Sequence, residues 1–333
     1  MTTSHADELR LMLVNLEHDG GPEPSPGVLP ERWRQAYEEI LAPRRPDWLA
    51  VTELSYSQTG PRASTDEIAA ATRRWDAAQR TLGMRGFRAP MGQGRNPTGL
   101  LVRESTFTIH ADYEHRFIWR TPPTNVVIGL PDVPETPIVT ASFHGSFCSP
   151  QGREREYEEL TALVDKVKAQ HGRDPDRTRA GCWLFGDTNE YPVPTGEVVP
   201  EIDWESPDIT DLAHRRHRAR RQPDGTWKSC TFLDELMTDC GMHDPARFAA
   251  RRNDKPEALN ATAGHCAIGQ GGGRRIDRGY MDAWTVQAVE DVNVIDMTGV
   301  SDHHALEVVL SRPALVEALR RDFEPLAAGE LVT

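Results

Sequence analysis

The amino-acid sequence predicts a single α/β domain, and three patterns agree on this fold class. Short apolar runs rich in β-branched residues alternate with longer segments of helical period. Polar residues cluster where several of the predicted strands end. The sharpest polar motifs lie near both ends of the chain, at 15–17 and 301–303, so a division into two domains would separate them. We therefore expect one domain over 1–333, with a core at about 9–310 and a C-terminal helical appendage at 313–333.

Seven segments have the length and composition of strands, each bounded by polar, glycine or proline residues. They are 9–16, 47–54, 98–105, 136–144, 181–187, 277–286 and 304–310. Strands and helices alternate without the strict βαβ rhythm of a doubly wound fold. The proline-rich stretches 22–30, 43–46, 122–137 and 192–207 are predicted to be loops between elements.

Three segments have the period of helices. Ser64 and Glu67 form a capping box, and Ile68, Trp75 and Leu82 follow it at helical spacing on one face. A second helix is marked by Tyr157, Leu160, Val164 and Val167, and a third by Phe232, Leu233, Leu236 and Met237.

The composition is that of an ordinary globular protein, with 38% hydrophobic and 27% charged residues. A net charge of −13 argues against a protein that coats nucleic acid, because such binding depends on many Lys and Arg side chains. It does not exclude a nuclease, since a bound cation and a local basic patch can hold a phosphate. The net charge therefore limits how tightly the protein can bind nucleic acid and does not limit which reaction it can catalyse.

Residues 1–8 lack the basic and apolar regions of a signal peptide, and no apolar stretch is long enough to cross a bilayer. The five cysteines are an odd number without a Cys-x-x-Cys pair, so neither a disulfide framework nor a zinc knuckle is expected. We expect a cytoplasmic protein with no membrane span, and nothing in the sequence indicates an obligate protein partner.

The polar residues at the strand ends are the candidate site. Those directly beside predicted strands are Asn15, Glu17, Glu53, His144, Asp187, Asn189, Asp302 and His303. Singly, most residues of these types after a strand form turns or helix caps. As a set they supply what phosphodiester hydrolysis needs: oxygen ligands for a hard cation, a carboxylate to activate water, and donors for the charge that grows on phosphorus.

The ordered motifs resemble those of the endonuclease/exonuclease/phosphatase superfamily, also called DNase-I-like. They are N-L-E (15–17), T-E-L (52–54), S-F-H-G (142–145), F-G-D-T-N (185–189), R-I-D-R (275–278) and S-D-H (301–303). The resemblance spans residues 9 to 310, nearly the whole chain. It implies a four-layered α/β/β/α sandwich of two packed mixed sheets flanked by helices, with the site at one rim.

The resemblance also implies the metal ligands. Glu53 is the principal ligand of a magnesium or manganese ion, helped by Asn15 and, through water, by Asp302. Glu17 matches a position that is acidic in the exonuclease-type branch, which implies a weaker second metal contact. The ion is expected to be Mg²⁺ or Mn²⁺ because the ligands are oxygen atoms and not thiolates.

The same resemblance assigns the catalytic roles. Asp187 orients and activates the attacking water, and Asn189 donates to water or to a phosphoryl oxygen. His303 contacts the phosphate while Asp277 accepts the proton of its other ring nitrogen. His144 matches a histidine of the DNase-type and sphingomyelinase-type branches, where it contacts the phosphate or protonates the leaving oxygen.

The substrate class stays open, with nucleic acid as the leading expectation. Gly-Asp-Thr-Asn together with Asn-x-acid is similar to the tyrosyl-DNA phosphodiesterase branch, whereas His144 is similar to the DNase branch. A small or lipid phosphorylated substrate is an alternative, favoured if the insertion between Asn189 and Phe232 closes the groove into a pocket. A non-catalytic binding module is a third, but it predicts loss of a catalytic residue and none is lost.

Other features fit two interpretations. The basic segment 214–221, with Arg215 and Arg218 as candidate substrate contacts, suits a phosphate-contacting loop and a solvated helix face equally well. The glycine run 269–273 predicts a flexible loop. Further expectations are that His265 and Cys266 hold no metal, that Trp183 and Phe185 lie in the core, and that Trp204 and Trp227 are partly buried or stack on a base.

Overall fold

The computed structural model of the chain describes residues 7–169, 180–265 and 267–331, the side chains of 166–169 excepted. The strands in chain order are β1 (Glu8–Asn15), β2 (Trp48–Thr52), β3 (Arg85–Arg88), β4 (Gly99–Val102), β5 (Thr108–Glu114), β6 (Thr124–Gly129), β7 (Ile138–His144), β8 (Gly181–Asp187), β9 (Ala219–Arg221), β10 (Trp227–Ser229), β11 (Met242–His243), β12 (Asp277–Asp282), β13 (Val289–Ile295) and β14 (Ala305–Ser311). The α-helices are α1 (Glu31–Arg34), α2 (Ala42–Arg44), α3 (Thr65–Leu82), α4 (Pro150–Ala169), α5 (Leu212–Arg218), α6 (Phe232–Asp239), α7 (Pro245–Asn253) and α8 (Arg312–Arg320). A π-helical segment, Gln35–Leu41, joins α1 to α2, and 3₁₀ turns lie at Pro256–Leu259, Ile268–Gln270 and Thr285–Ala288.

Within the described residues the strands form two mixed six-stranded sheets and one two-stranded hairpin. The first sheet has the order β13-β14-β1-β2-β4-β3, and the second has the order β11-β12-β8-β7-β6-β5. Each sheet contains one parallel pair, β1 with β2 and β7 with β8, and the remaining pairs are antiparallel. The parallel pairs lie in the interior of their sheets, which brings the carboxyl ends of four strands to one rim.

The central strands are buried on both faces, which explains their continuous apolar sequences. Along β1, Leu11 and Leu13 pack between the two sheets, whereas Met12 and Val14 pack against the outer helices. On the first sheet the outer cluster includes Trp75 of α3. The second sheet is covered on its outer face by α4 and α6. The layers are therefore helix, sheet, sheet and helix, and the expected four-layered sandwich is confirmed.

Aromatic side chains fill the space between the sheets. Trp48 of β2 meets Trp183 and Phe185 of β8, with ring centroids 6.4 and 5.3 Å apart and edge-to-face orientations. All three rings are fully buried, so the core positions expected for Trp183 and Phe185 are confirmed. These large rings fix the spacing of the two sheets on which the rim residues stand.

The seven predicted strands are confirmed, but the end of one strand and parts of two predicted loops were wrong. The loop predicted at 43–46 begins with the last two residues of α2, whose Pro43 occupies the first turn, where a helix tolerates proline. The strand predicted at 277–286 ends at Asp282, because the Asp282 carboxylate accepts the N–H groups of Trp284 and Thr285 and starts a 3₁₀ turn. The stretch 122–137 is not all loop, because β6 pairs with both β5 and β7 inside it. Its five prolines lie outside the strand, at 122 and 123 before it and at 131, 134 and 137 after it, so none removes a ladder hydrogen bond from β6.

The three predicted helices are confirmed as α3, α4 and α6. Ile68 was wrongly predicted to share the buried face of α3. Its side chain is 49% exposed, and the buried residues of this helix begin only at Ala71. The side chain of Val167 lies outside the described residues, as do residues 1–6 and Cys266. In the expected appendage, α8 buries Leu315 and Leu319 in the cluster between the sheets. None of the helices in the described ranges is long and apolar enough to span a bilayer.

The capping box of α3 has both of its reciprocal hydrogen bonds. The Glu67 N–H donates to the Ser64 hydroxyl at 3.3 Å, and the Ser64 N–H donates to the Glu67 carboxylate at 2.7 Å. We expect Ser64→Ala to lower the free energy of unfolding by ~1 kcal/mol, measured by urea denaturation. Thr65→Ala is the control at the adjacent position. An equal loss in both variants would contradict the capping role.

Candidate active site

Both sheets contribute side chains to one rim of the sandwich. In the first sheet, Asn15 ends β1, and the next strand in the sheet leads directly to Glu53. In the second sheet, the parallel register places His144 of β7 beside Asp187 of β8. The antiparallel neighbour β12 places Asp277 on the other side of Asp187. Residues far apart in sequence thus meet because their strands share this edge.

Asp187 lies at the centre of the cluster and is fully buried. Its Oδ2 accepts the side-chain amide of Asn15 at 3.1 Å and lies 3.5 Å from His144 Nε2 and 3.9 Å from His303 Nε2. Burial favours the neutral acid, but the positive charges of His144, His303 and Arg218 outweigh it and lower the pKa of Asp187. Asp187 is therefore a carboxylate at neutral pH, able to accept a proton or orient water.

His303 and Asp277 form a buried pair. His303 Nδ1 donates to Asp277 Oδ2 at 2.7 Å, which leaves His303 Nε2 directed toward the cluster. Burial disfavours the charged imidazole, but Asp277 outweighs that effect and raises the pKa of His303 to about 10. The imidazolium suits a phosphate contact. Atoms of Asp187, Asp277 and His303 lie within 4.8 Å of one another, which makes this one continuous polar cluster.

Glu53 supplies the carboxylate of the first sheet. Its Oε2 accepts the backbone N–H of His18 at 3.0 Å, and its Oε1 lies 3.5 Å from the Asn15 side-chain nitrogen. Asn15 therefore presents its NH₂ group to Glu53 and Asp187, while its oxygen accepts the N–H of Glu17 at 2.9 Å. In this arrangement Asn15 holds the two carboxylates in place.

Glu17 and Asp302 lie at the edge of the cluster. Glu17 Oε2 pairs with Arg32 and accepts the N–H of Asp302 at 3.1 Å, so this oxygen faces these two residues. The Asp302 side chain is 54% exposed, and one of its oxygens lies 3.8 Å from His303 Nε2. The structure thus brings Asp302 to the same cavity as Glu53 and places Glu17 beside it, outside the cavity lining.

Asn189 is fixed from three sides. Its side-chain NH₂ donates to the Gly145 carbonyl at 2.7 Å, its N–H donates to Asp187 Oδ1 at 2.8 Å, and its side-chain oxygen accepts from Arg218. Arg218 is buried and also donates to the Asn189 carbonyl at 3.1 Å. The guanidinium of Arg218 therefore contacts Asn189, whose N–H in turn contacts the Asp187 carboxylate.

Several rim residues have left-handed backbone conformations. The φ angles are 43° at Glu17, 59° at His18, 63° at Glu53 and 47° at Asn189. Non-glycine residues adopt this region at a cost, and such residues concentrate at functional sites. Three of these four residues are ones that the sequence motifs single out.

These side chains surround a cavity of about 430 Å³. One part of its wall holds Glu53, Asp187 and His303, and another comes from the insertion after Asn189 and from the loop before β12. The residues of this second part that the motifs did not identify are His214, Gln270 and Arg274. His18 and Phe147 also line the cavity without having been predicted.

The basic segment 214–221 is a helix end followed by a strand. Arg218 faces the cavity, whereas Arg215 lies away from its lining, with its guanidinium over the Trp227 ring at 4.8 Å. Trp204 is fully buried, so it cannot stack on a base, and Trp227 is half-buried. The glycine run 269–273, predicted to be a flexible loop, begins in the 3₁₀ turn Ile268–Gln270, and Gly271 and Gly272 follow with φ values of 102° and 74°.

His214 is expected to make stability depend on pH. Burial, together with the charges of Arg218 and Arg274, lowers its pKa to about 3. The unfolded chain binds the proton below about pH 6.5 and the folded chain does not, so stability falls as the pH drops from about 6.5 toward 3. The nearby Asp211 opposes this shift only in part.

Glutamine at position 214 does not titrate. We expect the Tm of the parent chain to fall progressively below that of His214→Gln between pH 6.5 and 4, measured by scanning calorimetry. His110→Gln, on the exposed edge strand β5, is the control. A Tm difference that stays constant across this range would show that His214 is not held neutral.

No family model and no curated protein matches the sequence, but solved structures match the fold. A 3′-5′ exonuclease, NExo, from Neisseria meningitidis superposes with a TM-score of 0.53 at 16% identity, covering 90% of this chain and 98% of the exonuclease. The human nocturnin catalytic domain with bound sulfate superposes with a TM-score of 0.53 at 13% identity, covering 92% and 94% of the two chains.

A mannosyl-6-phosphatase from Bacteroides thetaiotaomicron superposes with a TM-score of 0.52 at 11% identity, covering 90% of this chain and 98% of the phosphatase. Identities this low establish the fold and not the activity. The chain therefore has the DNase-I-like fold of endonuclease/exonuclease/phosphatase proteins.

Proposed function

We propose, starting from that shared fold, that the chain is a divalent-cation-dependent phosphodiester hydrolase acting on nucleic acid. One observation carries the proposal: Glu53, Asp187, Asn189 and His303 line a single cavity although three separate regions of the sequence supply them. The set combines a carboxylate that can act on water, a charged imidazole and a fixed amide, which are the groups that hydrolysis of a phosphate ester requires. A reducing compartment such as the cytoplasm is the setting we propose.

The donor chemistry fits a hard cation. Glu53 is the ligand we assign first, because its carboxylate reaches the cavity and the contacts that it receives leave it lone pairs. Asp302 is the second, since it is exposed and lines the same cavity. Both offer oxygen, which Mg²⁺ and Mn²⁺ prefer. When bound, the ion neutralises phosphate charge and stabilises the leaving oxygen.

Asp187 is the residue we assign to the attacking water. It is ionised, it is the most central group of the cluster, and the amide of Asn15 holds one of its oxygens. The N–H of Asn189 holds the other oxygen at 2.8 Å, so the carboxylate cannot rotate freely. A fixed carboxylate can orient a water molecule and accept its proton as the bond to phosphorus forms.

The phosphate itself is assigned to the two histidines. His303 is held as an imidazolium by Asp277 and directs its Nε2 to the cluster, where it favours the charge of the transition state. His144 lies on the other side of Asp187. Its Nδ1 is buried without a hydrogen-bond partner among the described residues, so its imidazole can rotate or exchange a proton with the leaving oxygen.

A small phosphorylated compound is the second candidate substrate. The observation in its favour is that the cavity has a wall on the side of the insertion. This wall contains His214 and Arg218 from the insertion and Arg274 from the loop before β12. A walled cavity of about 430 Å³ lies in the range that holds a nucleotide-sized ligand. Both candidates share the same reaction and differ in how much of the substrate lies outside the cavity.

One assay separates these possibilities. Protein stripped of metal and resupplied with Mg²⁺ or Mn²⁺ is incubated with plasmid, single-stranded DNA, RNA, a 5′-tyrosyl oligonucleotide, inositol phosphates and bis-nitrophenyl phosphate. We expect metal-dependent hydrolysis of nucleic acid. Turnover of the small compounds alone would replace nucleic acid by the second candidate, and inactivity toward every substrate with either ion would overturn the proposed function in favour of a binding module.

A further inference from the structure

Two buried arginines of the cavity wall have only neutral hydrogen-bond partners. Arg218 and Arg274 are 8% and 6% exposed. Arg218 donates to the carbonyls of Phe147 and Asn189 and to the Asn189 side chain. Arg274 donates to the backbone oxygen of Gln270 at 3.0 Å and to its side-chain oxygen at 3.1 Å. Neither guanidinium forms an ion pair with a carboxylate in the described part of the chain.

Other buried arginines of this protein are paired with carboxylates. Arg153 meets Glu190 at 3.0 Å, and Arg275 meets Asp244 at 2.6 Å. Burial of an unpaired charge costs several kcal/mol, so such pairing is the rule in protein interiors. Arg218 and Arg274 are exceptions to this rule, and both line the cavity. The position of the exceptions indicates that their counter-charge comes from a ligand.

The surroundings of the two arginines add further donors, and the nearby Asp211 carboxylate accepts from the Gln270 side chain and the His214 N–H. The Nε atoms of both guanidiniums and the Nε2 of His214 have no hydrogen-bond partner among the residues that the structure describes. Burial and the neighbouring Arg153 lower the pKa of Arg218 to about 10, so the guanidinium is still charged at neutral pH. The Asp187 carboxylate acts on Arg218 through its charge, but its oxygens accept from Asn15 and from the N–H of Asn189 and not from this guanidinium.

We propose that Arg218 and Arg274, supported by His214 and Gln270, form a subsite for a terminal phosphomonoester of the substrate, next to the phosphoester that is hydrolysed. The proposal rests on the function proposed above and specifies its substrate class. A phosphomonoester carries close to two negative charges at neutral pH, which matches two guanidiniums better than a carboxylate or a bridging diester does.

The two phosphates occupy different parts of the cavity. The scissile group is assigned to the rim cluster of Glu53, Asp187 and His303 at the strand ends. Arg274 comes instead from the loop before β12, where Gln270 holds its guanidinium and the chain packs closely against Gly264. A Cβ atom at Gly264 would lie 3.2 Å from the Arg274 guanidinium carbon, so the glycine leaves room for the guanidinium, which the two hydrogen bonds to Gln270 hold in place.

A fixed pair of guanidiniums beside the reaction centre selects substrates by their ends. An oligonucleotide that carries a terminal phosphate and a small compound with two neighbouring phosphates both satisfy the subsite. An internal diester of a long duplex does not, because it has no monoester. The enzyme is therefore expected to act at phosphorylated ends or on bisphosphorylated compounds, and not along the middle of a duplex.

The test compares matched substrates that differ only in the second phosphate. Short oligonucleotides with a 5′ or 3′ terminal phosphate are set against the same oligonucleotides with a terminal hydroxyl, and nucleoside bisphosphates against the corresponding nucleoside monophosphates. We expect kcat/KM to favour the phosphorylated member by ~10- to 100-fold, which is the value of one or two charge-assisted hydrogen bonds. In Arg274→Gln this ratio should fall to near 1, mainly through KM.

Arg216→Gln is the control, because it removes the same charge from α5, the helix that carries Arg218, but does not line the cavity. It should keep the ratio of the parent chain. Hydrolysis without any preference for a second phosphate would overturn the subsite and leave the proposed function standing. A preference that survives in Arg274→Gln would overturn it as well. The oligonucleotide and small-molecule arms show which source supplies the phosphate.

A second measurement does not depend on turnover. Pyrophosphate is titrated into Asp187→Asn protein by calorimetry, with and without Arg274→Gln. We expect binding that weakens by ~10-fold or more in the double variant. Equal binding to both proteins would overturn the subsite even if no hydrolysis were found. If pyrophosphate binds more weakly to the double variant and the parent chain hydrolyses no substrate, the subsite is supported and the hydrolase is not. Failure of the subsite and failure of the proposed function are therefore distinguishable.

Discussion

Asp187→Asn is expected to lose ~10³-fold or more of kcat/KM while it folds like the parent chain, because loss of a catalytic base typically costs 10²- to 10⁴-fold. The substitution keeps the shape of the side chain and its place at the end of β8. It removes the negative charge and turns one oxygen into an NH₂ group, which would face the amide of Asn15 or the ring of His144. Neither arrangement can accept a proton from water.

Steady-state rates on the best substrate of the panel measure this loss, and thermal unfolding measures the fold. Asp112→Asn makes the same change on the exposed edge strand β5 and should leave the rate unaltered. We expect the loss in Asp187→Asn to appear in kcat more than in KM, since the carboxylate acts in the transition state. Activity within tenfold of the parent chain would remove Asp187 from the mechanism.

Glu53→Gln is expected to raise the Mg²⁺ concentration for half-maximal activity by ~100-fold or more. Substitution of a residue that hydrogen-bonds to a metal ligand typically lowers metal affinity about 10- to 100-fold. Substitution of a ligand itself should lower the affinity by more than that. Complete removal of divalent ions should abolish activity in the parent chain, and resupply should restore it. High Mg²⁺ should rescue Glu53→Gln in part, because Asp302 is retained.

The measurement is a titration of rate against Mg²⁺ and of Mn²⁺ binding by calorimetry. Glu39→Gln, an exposed change on the π-helical segment, is the control and should follow the parent curve. If Glu53→Gln lowered kcat without shifting the Mg²⁺ titration, Glu53 would be acting on the substrate and not on the ion. The Mn²⁺ binding curve gives the same answer without turnover.

Strand-level features of the site could be predicted because they follow from local sequence. An apolar β-branched run followed by a carboxylate locates Asp187 at a strand end, and the run before Glu53 does the same. A sheet collects such ends at one edge, so proximity follows from the fold class. The packing of Trp183 between the sheets was predictable for the same reason, since a strand without polar alternation is buried on both faces.

Features that depend on long-range contacts could not be predicted. The amide of Asn15 contacts a carboxylate 172 positions away, and only the assembled sandwich shows which atom of the amide faces it. Arg274 belongs to an irregular segment whose path is set by tertiary packing, and the charge run that begins at His214 did not show which of its side chains would face the cavity. Strand β6 was hidden because two prolines precede it, although its residues from Thr124 to Gly129 are all buried.

The last strand of the core has a consequence for biosynthesis. Strand β14 lies between β13 and β1 in the first sheet, and the Ser301 hydroxyl before it donates to the Asn15 carbonyl at 2.8 Å. A nascent chain that has emerged only as far as β13 therefore has neither His303 nor a complete sheet. Translation must pass residue 311 before the earliest and latest segments can meet. Completion of the first sheet and assembly of the polar cluster are accordingly expected to occur together, once β14 has been synthesised.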